Sequence, residues 1–563
     1  MPVRVRLLFV STREVAGRTE PALHRKLGPI GLLFAGIGSI IGSGWLFGAF
    51  NASVIAGPAA LLSWAIAGVM VLIIALSYGE LGPMFPVAGG VVRYPHLVWG
   101  SFTSYSLGWI TWISTAAVPA IEVEGALQYA TRYAHFTSKH MVSGKPAYTL
   151  TGLGLVVAIA LLALFVVLNY FGVQLFARIN NVLVWWKLAI ILVVIVTFFV
   201  LAFGGGHGMG STSNFTSHGF APASSHGVFI AIATAGITFS FLGFRQGIEL
   251  AGESDNPRRN IPIAVIGSVL ITGAIYVLLQ VAFTLGIPRS ALSGGWGTLS
   301  FSNDFGPLAA ISTLAGATWL AYLLYADAII SPADTGLIYT TVSARVSYAM
   351  ARNRNAPAAF GRTSRNGVPV AGLVLTFVIG LILFLPFPSW QQLVGFITSA
   401  TVISFGAGPL VVASLRREEP DRHRPFRLPG GDILPFLGFY AANMIIYWGG
   451  WDVDKKLFLT VLIGWVLLGA YPAISRGHGE RREHFELRSG LWIVPWFGGL
   501  ALVSWLGDPD KHPHAFNWVF LINLGLSAVI FVLAVRSRQS REAIERHLAD
   551  ATAEAGTELA ATG

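Results

Sequence analysis

The sequence contains no cysteine, and only 11% of its 563 residues are charged. The first absence excludes disulfides, cysteine-ligated metal sites and thiol nucleophiles, while the redox compartment stays open. The second excludes an ordinary soluble domain, because such domains carry roughly 25% charged residues. The sequence also lacks the nucleotide-binding signature GxxxxGK[ST], and its histidines lack metal-ligand spacing. We therefore expect no P-loop ATP hydrolysis, no metal and no cofactor.

Long apolar runs dominate what is present, since 54% of the residues are hydrophobic. A helix needs about 20 such residues to cross a bilayer core. The short apolar run Leu7 to Val10 is too small for the core of a cleavable signal peptide, so we expect none. The runs predict an all-α polytopic membrane protein with about fourteen spans. They lie near 29–54, 58–83, 103–130, 149–170, 177–203, 226–252, 261–286, 307–350, 368–387, 391–415, 433–451, 456–475, 490–507 and 516–536.

The net charge of +10 is concentrated in alternate connections between these runs. By the positive-inside rule these connections are cytoplasmic, which places both termini in the cytoplasm and disfavours nucleic acid as a partner. The connection at 132–147 is an exception on the outer side. The cytoplasmic basic residues are Arg25, Lys26, Arg258, Arg259, Arg352, Arg354, Arg362, Arg365, Arg416, Arg417, Arg422, Arg424, Arg427, Arg481, Arg482, Arg488, Arg536, Arg538 and Arg541.

Two of the apolar runs contain residues that interrupt a helix. In the first, "GIGSIIGSGWLFG", the glycines at 36, 38, 42, 44 and 48 are not confined to one helical face. In the sixth, "GITFSFLGFRQG", Ser240 and Gly243 break an apolar stretch. Bare backbone is tolerated in a membrane only where it lines a protein cavity. The half-helix N-termini favour a carboxylate and the freed carbonyls favour an ammonium group, which together match the backbone of an amino acid.

The motifs, taken in order, resemble the amino acid–polyamine–organocation (APC) transporters. They are "GIGSIIGSGWLFG", "GELGPMFPVAGGVVRY", "ESDNPRRNIP", "SARVSYAMARNRNAPAAFGRTSRNGVP" and "LRREEPDRHRPFRLPG". The resemblance covers 28–430 and implies a ten-helix core of two inverted five-helix, LeuT-like repeats with helices 1 and 6 broken. It also implies a substrate site at the breaks, most like that of bacterial proton-coupled permeases in the inner membrane.

The expected organisation has four parts and one substrate site. A cytoplasmic segment at 1–27 precedes the core at 28–430, four additional helices occupy 431–536, and a cytoplasmic tail follows at 537–563. The common family pattern has two additional helices rather than four. The expected substrate-binding residues are Ser39, Ile40, Gly42, Ser43, Gly44, Phe239, Ser240, Gly243 and Arg245.

Ionisable residues inside apolar runs are costly and indicate function. Lys187 matches a lysine of proton-coupled family members and is expected to act as a proton switch; the alternative is a static tether between helices 5 and 1. Glu122 and Asp327 are further candidates for proton coupling. Because Glu122 and Glu124 lie on different helix faces, at most one should face the site. Trp45 and Phe241 are candidate gating residues, with simple packing as the alternative.

Arg245 leads to the substrate prediction. Its guanidinium can clamp a second carboxylate, which favours aspartate or glutamate, unless Glu249 four residues on neutralises it. The sequence thus predicts a secondary transporter that imports an amino acid with protons across the lipid bilayer. An amino acid exchanger, a permease for neutral amino acids and a non-transporting sensor remain alternatives. A membrane enzyme is disfavoured because the acidic residues are dispersed.

Overall fold

The structure is a computed structural model that describes residues 27–87, 89–142, 145–203, 211–364, 367–387, 389–474, 486–508, 512 and 516–549. Side chains at 145, 172–179 and 471–474 are outside this description. The N-terminal segment at 1–26 and the end of the predicted tail at 550–563 lie outside the described residues. So do Arg25, Lys26, Arg365, Arg481 and Arg482.

The described chain is mainly helical, as its apolar runs predict. The first half contains α1 (Pro29–Ile40), α2 (Gly44–Ala56), α3 (Ala60–Met84), α4 (Gly90–Trp99), α5 (Ser101–Ala130), β1 (Thr137–Val142), β2 (Lys145–Leu150), α6 (Gly152–Phe203), α7 (Ser224–Thr234), α8 (Gln246–Glu249) and α9 (Pro257–Gly286). The remainder contains α10 (Pro307–Leu314), α11 (Thr318–Arg352), α12 (Val370–Leu383), α13 (Trp390–Glu418), α14 (Ile433–Trp448), α15 (Trp451–Ile474), α16 (Leu487–Gly490), α17 (Ile493–Leu506) and α18 (Phe516–Arg536).

Seven helices in the described residues are long and apolar enough to cross a membrane, or eight with one bent pair. Three shorter apolar helices, α1, α12 and α14, accompany them. The helices α5 and α11 have sufficient length but carry buried serines, threonines and acids, including Glu122 and Asp334. The structure therefore contains a polytopic set of apolar helices, and the count of fourteen spans stays a prediction.

Three predicted runs correspond to elements with other boundaries in the structure. The run at 307–350 is divided into α10 and α11 by a short break. The runs at 149–170 and 177–203 belong to one helical element, α6. A straight helix would separate Phe165 from Lys187 by about 33 Å. However, Phe165 contacts Gly336 and Lys187 contacts Thr335, so α6 must turn back on itself.

The core of the described residues is one large buried cluster shared by the helices around α3, α5, α9, α11 and α13, beside a small cluster of Ala344, Val368 and Leu373. Trp64 of α3 illustrates its packing, since its indole N–H donates to Gln280 of α9 at 2.9 Å while its ring contacts Tyr276. At one end of the core, buried Glu80 accepts hydrogen bonds from Arg416 and Arg424. This contact joins two of the sequence motifs, one after α3 and one after α13.

The short helix α4 is covered by the end of the chain. Helical residues 541–549 bring the ring of His547 within 4.8 Å of the ring of His96 in α4. Burial, together with the nearby His547, Arg93 and Arg354, lowers the pKa of His96 to about 3. A neutral His96 is therefore part of the folded state at neutral pH.

Candidate functional site

The first helix interruption lies between α1 and α2. The last turn of α1 exposes carbonyls that have no further helical partner, as helix ends do. Side chains from other helices supply the missing donors. The Thr335 hydroxyl lies 3.1 Å from the Gly38 carbonyl and 3.2 Å from that of Ile41, and the Tyr276 hydroxyl donates to Ile40 at 3.3 Å. The carbonyl side of the break is thus held by α9 and α11.

The second interruption follows α7. The helix ends at Thr234, and the next helical segment, Phe239–Arg245, continues at an angle of 45°. Gly236 has φ +89°, a left-handed conformation that glycine adopts without strain. The Ser240 hydroxyl donates to the Gly236 carbonyl at 2.8 Å, which satisfies one of the freed backbone groups.

The two interruptions touch each other. A Cβ added to Gly243 would lie 2.3 Å from the Ile40 nitrogen and the Ser39 carbonyl carbon. A Cβ added to Gly44 would fall within 2.3 Å of the Ser240 hydroxyl. Glycine is required at both positions because the opposing atoms lie where a side chain would begin. The fold therefore brings together residues of the two helix interruptions that the sequence analysis assigns to one substrate site.

A protein carboxylate occupies the start of α2. Glu122 of α5 accepts the backbone N–H of Ser43 at 2.7 Å and is buried. A helix N-terminus attracts negative charge through its free N–H groups and its dipole. Glu124, two residues further on, is also buried, but neither of its oxygens has a hydrogen-bond partner among the described residues. Of the two acids, Glu122 is the one at the interruption.

Lys187 lies on the other side of the first interruption and is completely buried. Its ammonium donates to the Gly38 carbonyl at 2.8 Å and to the Thr335 hydroxyl at 3.1 Å. Its nitrogen also lies 2.6 Å from a carboxylate oxygen of Asp334 on α11. The ammonium group thus makes two hydrogen bonds and one ion pair. Lys187 therefore connects α6, α11 and the carbonyl end of α1.

Asp327 lies near the Lys187–Asp334 pair, on the same helix as Asp334. It accepts from the Trp186 indole at 2.9 Å and from the Ser331 hydroxyl at 2.7 Å, both through one oxygen. Its second oxygen is buried without a hydrogen-bond partner in the described chain. Since Trp186 precedes Lys187, the Asp327 and Asp334 carboxylates hold neighbouring residues of α6.

Arg245 follows the second interruption and is fully buried. One nitrogen of its guanidinium donates to Glu249 at 3.0 Å, and the group lies over the Phe405 ring at 5.5 Å. The Nε and Nη1 atoms have no hydrogen-bond partner among the described residues. The structure therefore contains the neutralising helical pair that the sequence offered as the alternative, yet leaves part of the guanidinium available.

Aromatic side chains cover the interruptions. Trp390, at the start of α13, donates its indole N–H to the Ser43 hydroxyl at 2.8 Å, and its ring contacts Phe47 and Phe239. The predicted gating residues are both buried: Phe241 packs against Trp64 and Tyr276, while the indole nitrogen of Trp45 lacks a hydrogen-bond partner in the described part. In this structure the interruptions are closed to solvent.

Sequence reasoning missed four residues of this site: Thr335, Tyr276, Trp390 and Asp334. For Asp334 a signal existed, because it lies seven residues after Asp327 and so shares its face of the helix. For the other three, side chains of common types contact backbone or hydroxyl groups far away in sequence. Their participation depends on helix packing, which the sequence motifs do not specify.

Comparison with known proteins identifies the family. The model of the amino acid permease family matches residues 31–417, well over half of the chain. The chain belongs to the amino acid permease family. The permease is 38% identical to the glutamate/serine transporter AimA of Bacillus subtilis strain 168 over 530 residues, which covers 92% of this chain and 95% of the relative.

Two further relatives from the same organism differ in the substrate that their names give. The aspartate-proton symporter is 33% identical over 478 residues, 85% of this chain and 89% of the relative. The branched-chain amino acid permease BcaP is 26% identical over 472 residues, 82% of this chain and 96% of the relative. The permease is thus a transporter rather than an enzyme. Since the match to AimA covers 92% of this chain, most residues after 417 are aligned with that relative.

Proposed function

We propose that the permease imports an acidic amino acid together with protons, by alternating access, and binds the substrate backbone between the two helix interruptions. The contact between the Ser43 N–H and Glu122 supports this proposal most directly. In this contact a backbone N–H at the start of α2 donates to a buried acidic side chain, which supports a carboxylate-binding role for this helix start. A substrate carboxylate has the same chemistry, so it would take the place of Glu122 at this helix start.

The carbonyl end of α1 would receive the substrate ammonium group. The Gly38, Ile40 and Ile41 carbonyls lie there, with Lys187 already bound to the first. We propose that residues 28–430 form the ten-helix transport core, with two inverted five-helix repeats, and that 431–536 add four helices. The additional helices are consistent with the long match to AimA.

Proton coupling is assigned to the Lys187–Asp334 pair together with Glu122 and Asp327. Two buried charges in contact are stabilised as a pair, whereas loss of either charge leaves the other unpaired. Uptake of an external proton by Asp334 and release of the Lys187 proton to the cytoplasm would remove both charges and weaken the bond to Gly38, and transfer of the Asp334 proton to Lys187 would then restore the pair. While the pair is neutral, the carbonyl end of α1 would be free to bind the substrate, which couples the proton to the transport cycle.

The acidic substrate assignment rests on Arg245 and on two relatives. The Nε and Nη1 atoms of its guanidinium lie on different edges of the group and have no hydrogen-bond partner among the described residues, so each can donate to a side-chain carboxylate. The names of two relatives include glutamate and aspartate. A permease for neutral amino acids is a second candidate, because Glu249 pairs with Arg245 in this structure.

We propose that both termini are cytoplasmic and that the protein resides in a bacterial inner membrane. Ion pairs join basic and acidic residues at or just beyond the C-terminal ends of different helices, which supports a single basic face. Examples are Arg538 with Glu418 at 2.6 Å and Arg416 with Glu80 at 2.5 Å. Excess Arg and Lys on one face is typical of the cytoplasmic side.

Uptake into proteoliposomes tests the substrate and the driving force separately. Labelled aspartate, glutamate, serine and leucine are supplied with and without an inward proton gradient. We expect acidic substrates to accumulate only with the gradient, and Arg245→Ala to weaken their binding by more than about tenfold, or 1.4 kcal/mol. Preference for leucine with normal binding by Arg245→Ala would instead establish the neutral permease.

The proton role has its own variant. Lys187→Ala is expected to abolish gradient-driven accumulation while substrate binding, measured by thermal shift, is largely retained. Counterflow without a gradient in the wild type, combined with absence of net uptake, would assign an exchanger. Binding without either flux would assign a sensor. Normal pH-dependent accumulation by Lys187→Ala would eliminate the proton-switch role.

A further inference from the structure

A pocket of about 410 Å³ lies among the helices after residue 430, apart from the helix interruptions. Its walls come from α16, from the end of α18 and from the residues that follow α18. Arg538 in one wall lies 2.6 Å from Glu418 at the end of α13. The pocket is therefore on the basic face that we assign to the cytoplasm. Its lining includes three arginines and three serines: Arg488, Arg536, Arg538, Ser489, Ser537 and Ser540.

The pocket carries an excess of positive charge. Arg488 and Arg536 are exposed, and no carboxylate of the described chain pairs with either. The single acid in the lining, Glu486, already accepts a hydrogen bond from the Gln539 amide and lies 3.9 Å from the His547 ring nitrogen. Two free guanidinium groups therefore remain for an external anion. A phosphate group suits them, since guanidinium binds two of its oxygens at once.

Exposed apolar residues stand close in sequence to the two exposed arginines of the pocket. Leu487 and Leu491 beside Arg488 are 50% and 54% exposed, and Val532 and Leu533 before Arg536 are 46% and 39% exposed. These side chains continue the apolar surfaces of α17 and α18, which are both candidate membrane spans. A ligand in the pocket thus meets guanidinium groups at one end and hydrocarbon at the other. Free phosphate uses only the first of these.

We propose that this pocket binds the phosphate headgroup of an anionic phospholipid. Its acyl chains lie along Leu487, Leu491, Val532 and Leu533, while Arg488 and Arg536 hold the phosphate. Basic pockets between membrane helices at the cytoplasmic boundary are suited to such headgroups. The chemistry requires a phosphodiester with a net negative charge, as in phosphatidylglycerol or cardiolipin, and disfavours a zwitterionic headgroup, whose ammonium would meet the arginines.

The bound lipid would stabilise the end of the chain against the core. The backbone N–H of Gln539 donates to the Val98 carbonyl at 2.9 Å, and the Trp99 indole donates to the Ala534 carbonyl at 2.9 Å. Both bonds join the wall of the pocket to α4. A lipid that bridges Arg488 and Arg536 fixes α16 relative to the end of α18, and so protects these bonds as well.

Native mass spectrometry of the purified full-length protein measures lipid bound to folded molecules. Phosphatidylglycerol and phosphatidylcholine are titrated into the wild type, the variant Arg488→Ala/Arg536→Ala, and the control Arg258→Ala/Arg259→Ala. The control removes two exposed arginines from another connection on the same basic face, so the change in net charge is matched. We expect the pocket variant to lose phosphatidylglycerol affinity by about tenfold or more, and the control to retain it.

Thermal stability gives an independent measurement. Phosphatidylglycerol should raise the apparent Tm of the wild type and the control but not of the pocket variant, and inorganic phosphate should raise none of them. Equal lipid binding by both variants would overturn the proposal in favour of general attraction to the basic face. Equal protection by inorganic phosphate would overturn it in favour of a soluble anion. Arg488→Lys/Arg536→Lys keeps the charge and should recover part of the binding.

Discussion

A double-mutant cycle should measure how much the Lys187–Asp334 ion pair contributes to the stability of the fold. The ammonium nitrogen and carboxylate oxygen are 2.6 Å apart, and neither side chain is exposed. At an effective dielectric constant of about 20, charges this close attract by about 6 kcal/mol, which offsets the cost of burying them. Removal of one partner from such a pair destabilises a protein by about 3–5 kcal/mol, because the remaining charge loses its compensation.

We therefore expect Asp334→Leu and Lys187→Met each to lower the stability of the purified protein by about 3–5 kcal/mol. The double variant should recover most of this loss, because two apolar side chains of similar size replace the pair. Reversible unfolding in mixed micelles measures the four free energies of the cycle. The coupling energy should exceed about 2 kcal/mol, in the upper part of the range for residues in contact.

Transport separates the structural role from coupling. The double variant, although stable, should fail to accumulate substrate under a proton gradient, because it lacks groups that exchange a proton. If its instability equals the sum of the two single variants, the buried pair does not stabilise the fold and the reasoning is wrong. If it is stable and still accumulates substrate, the pair is structural only.

Three further variants test other parts of the structure. Gly42→Val should abolish uptake while membrane insertion continues, since a Cβ there would lie 2.5 Å from the Glu122 carboxylate; labelled uptake and surface labelling check this. Gly243→Ala should lower stability by about 1–3 kcal/mol through a backbone clash, whereas Gly498→Ala, with no atom within 4 Å of the new Cβ, should not. Because the pKa of His96 is lowered in the folded state, only the unfolded protein binds a proton at this residue between pH 6.5 and about 3. The free energy of unfolding therefore falls as the pH drops through this range. His96→Asn should therefore remove about 1.4 kcal/mol of the acid-induced loss at about pH 5.5, and an unchanged pH slope in thermal melts would contradict this.

The helix interruptions and the apolar helices could be predicted because local composition determines them. Glycine and serine around Gly42 and Gly243 mark places where a helix is weak, and the apolar runs define where helices lie. The family follows from the motifs for the same reason, since each motif is continuous in sequence. These features require no knowledge of which helices are neighbours.

Other features depend on contacts between distant segments, and the sequence did not reveal them. Asp334 meets Lys187 across 147 positions, shown by their ion pair, and Trp390 reaches Ser43 across 347. The pairing of Arg245 with Glu249 was offered only as an alternative, since helical spacing permits a pair without requiring it.

The close approach of Gly243 to the backbone of α1 has a mechanical consequence. Side chains normally separate two helices and can change rotamer, so one helix can shift by a small distance without moving its neighbour. Between Gly243 and the Ser39–Ile40 peptide no side chain is present to absorb such a shift. A displacement of either interrupted helix at this point should therefore be transmitted directly to the other, without a side chain between them to take up the movement.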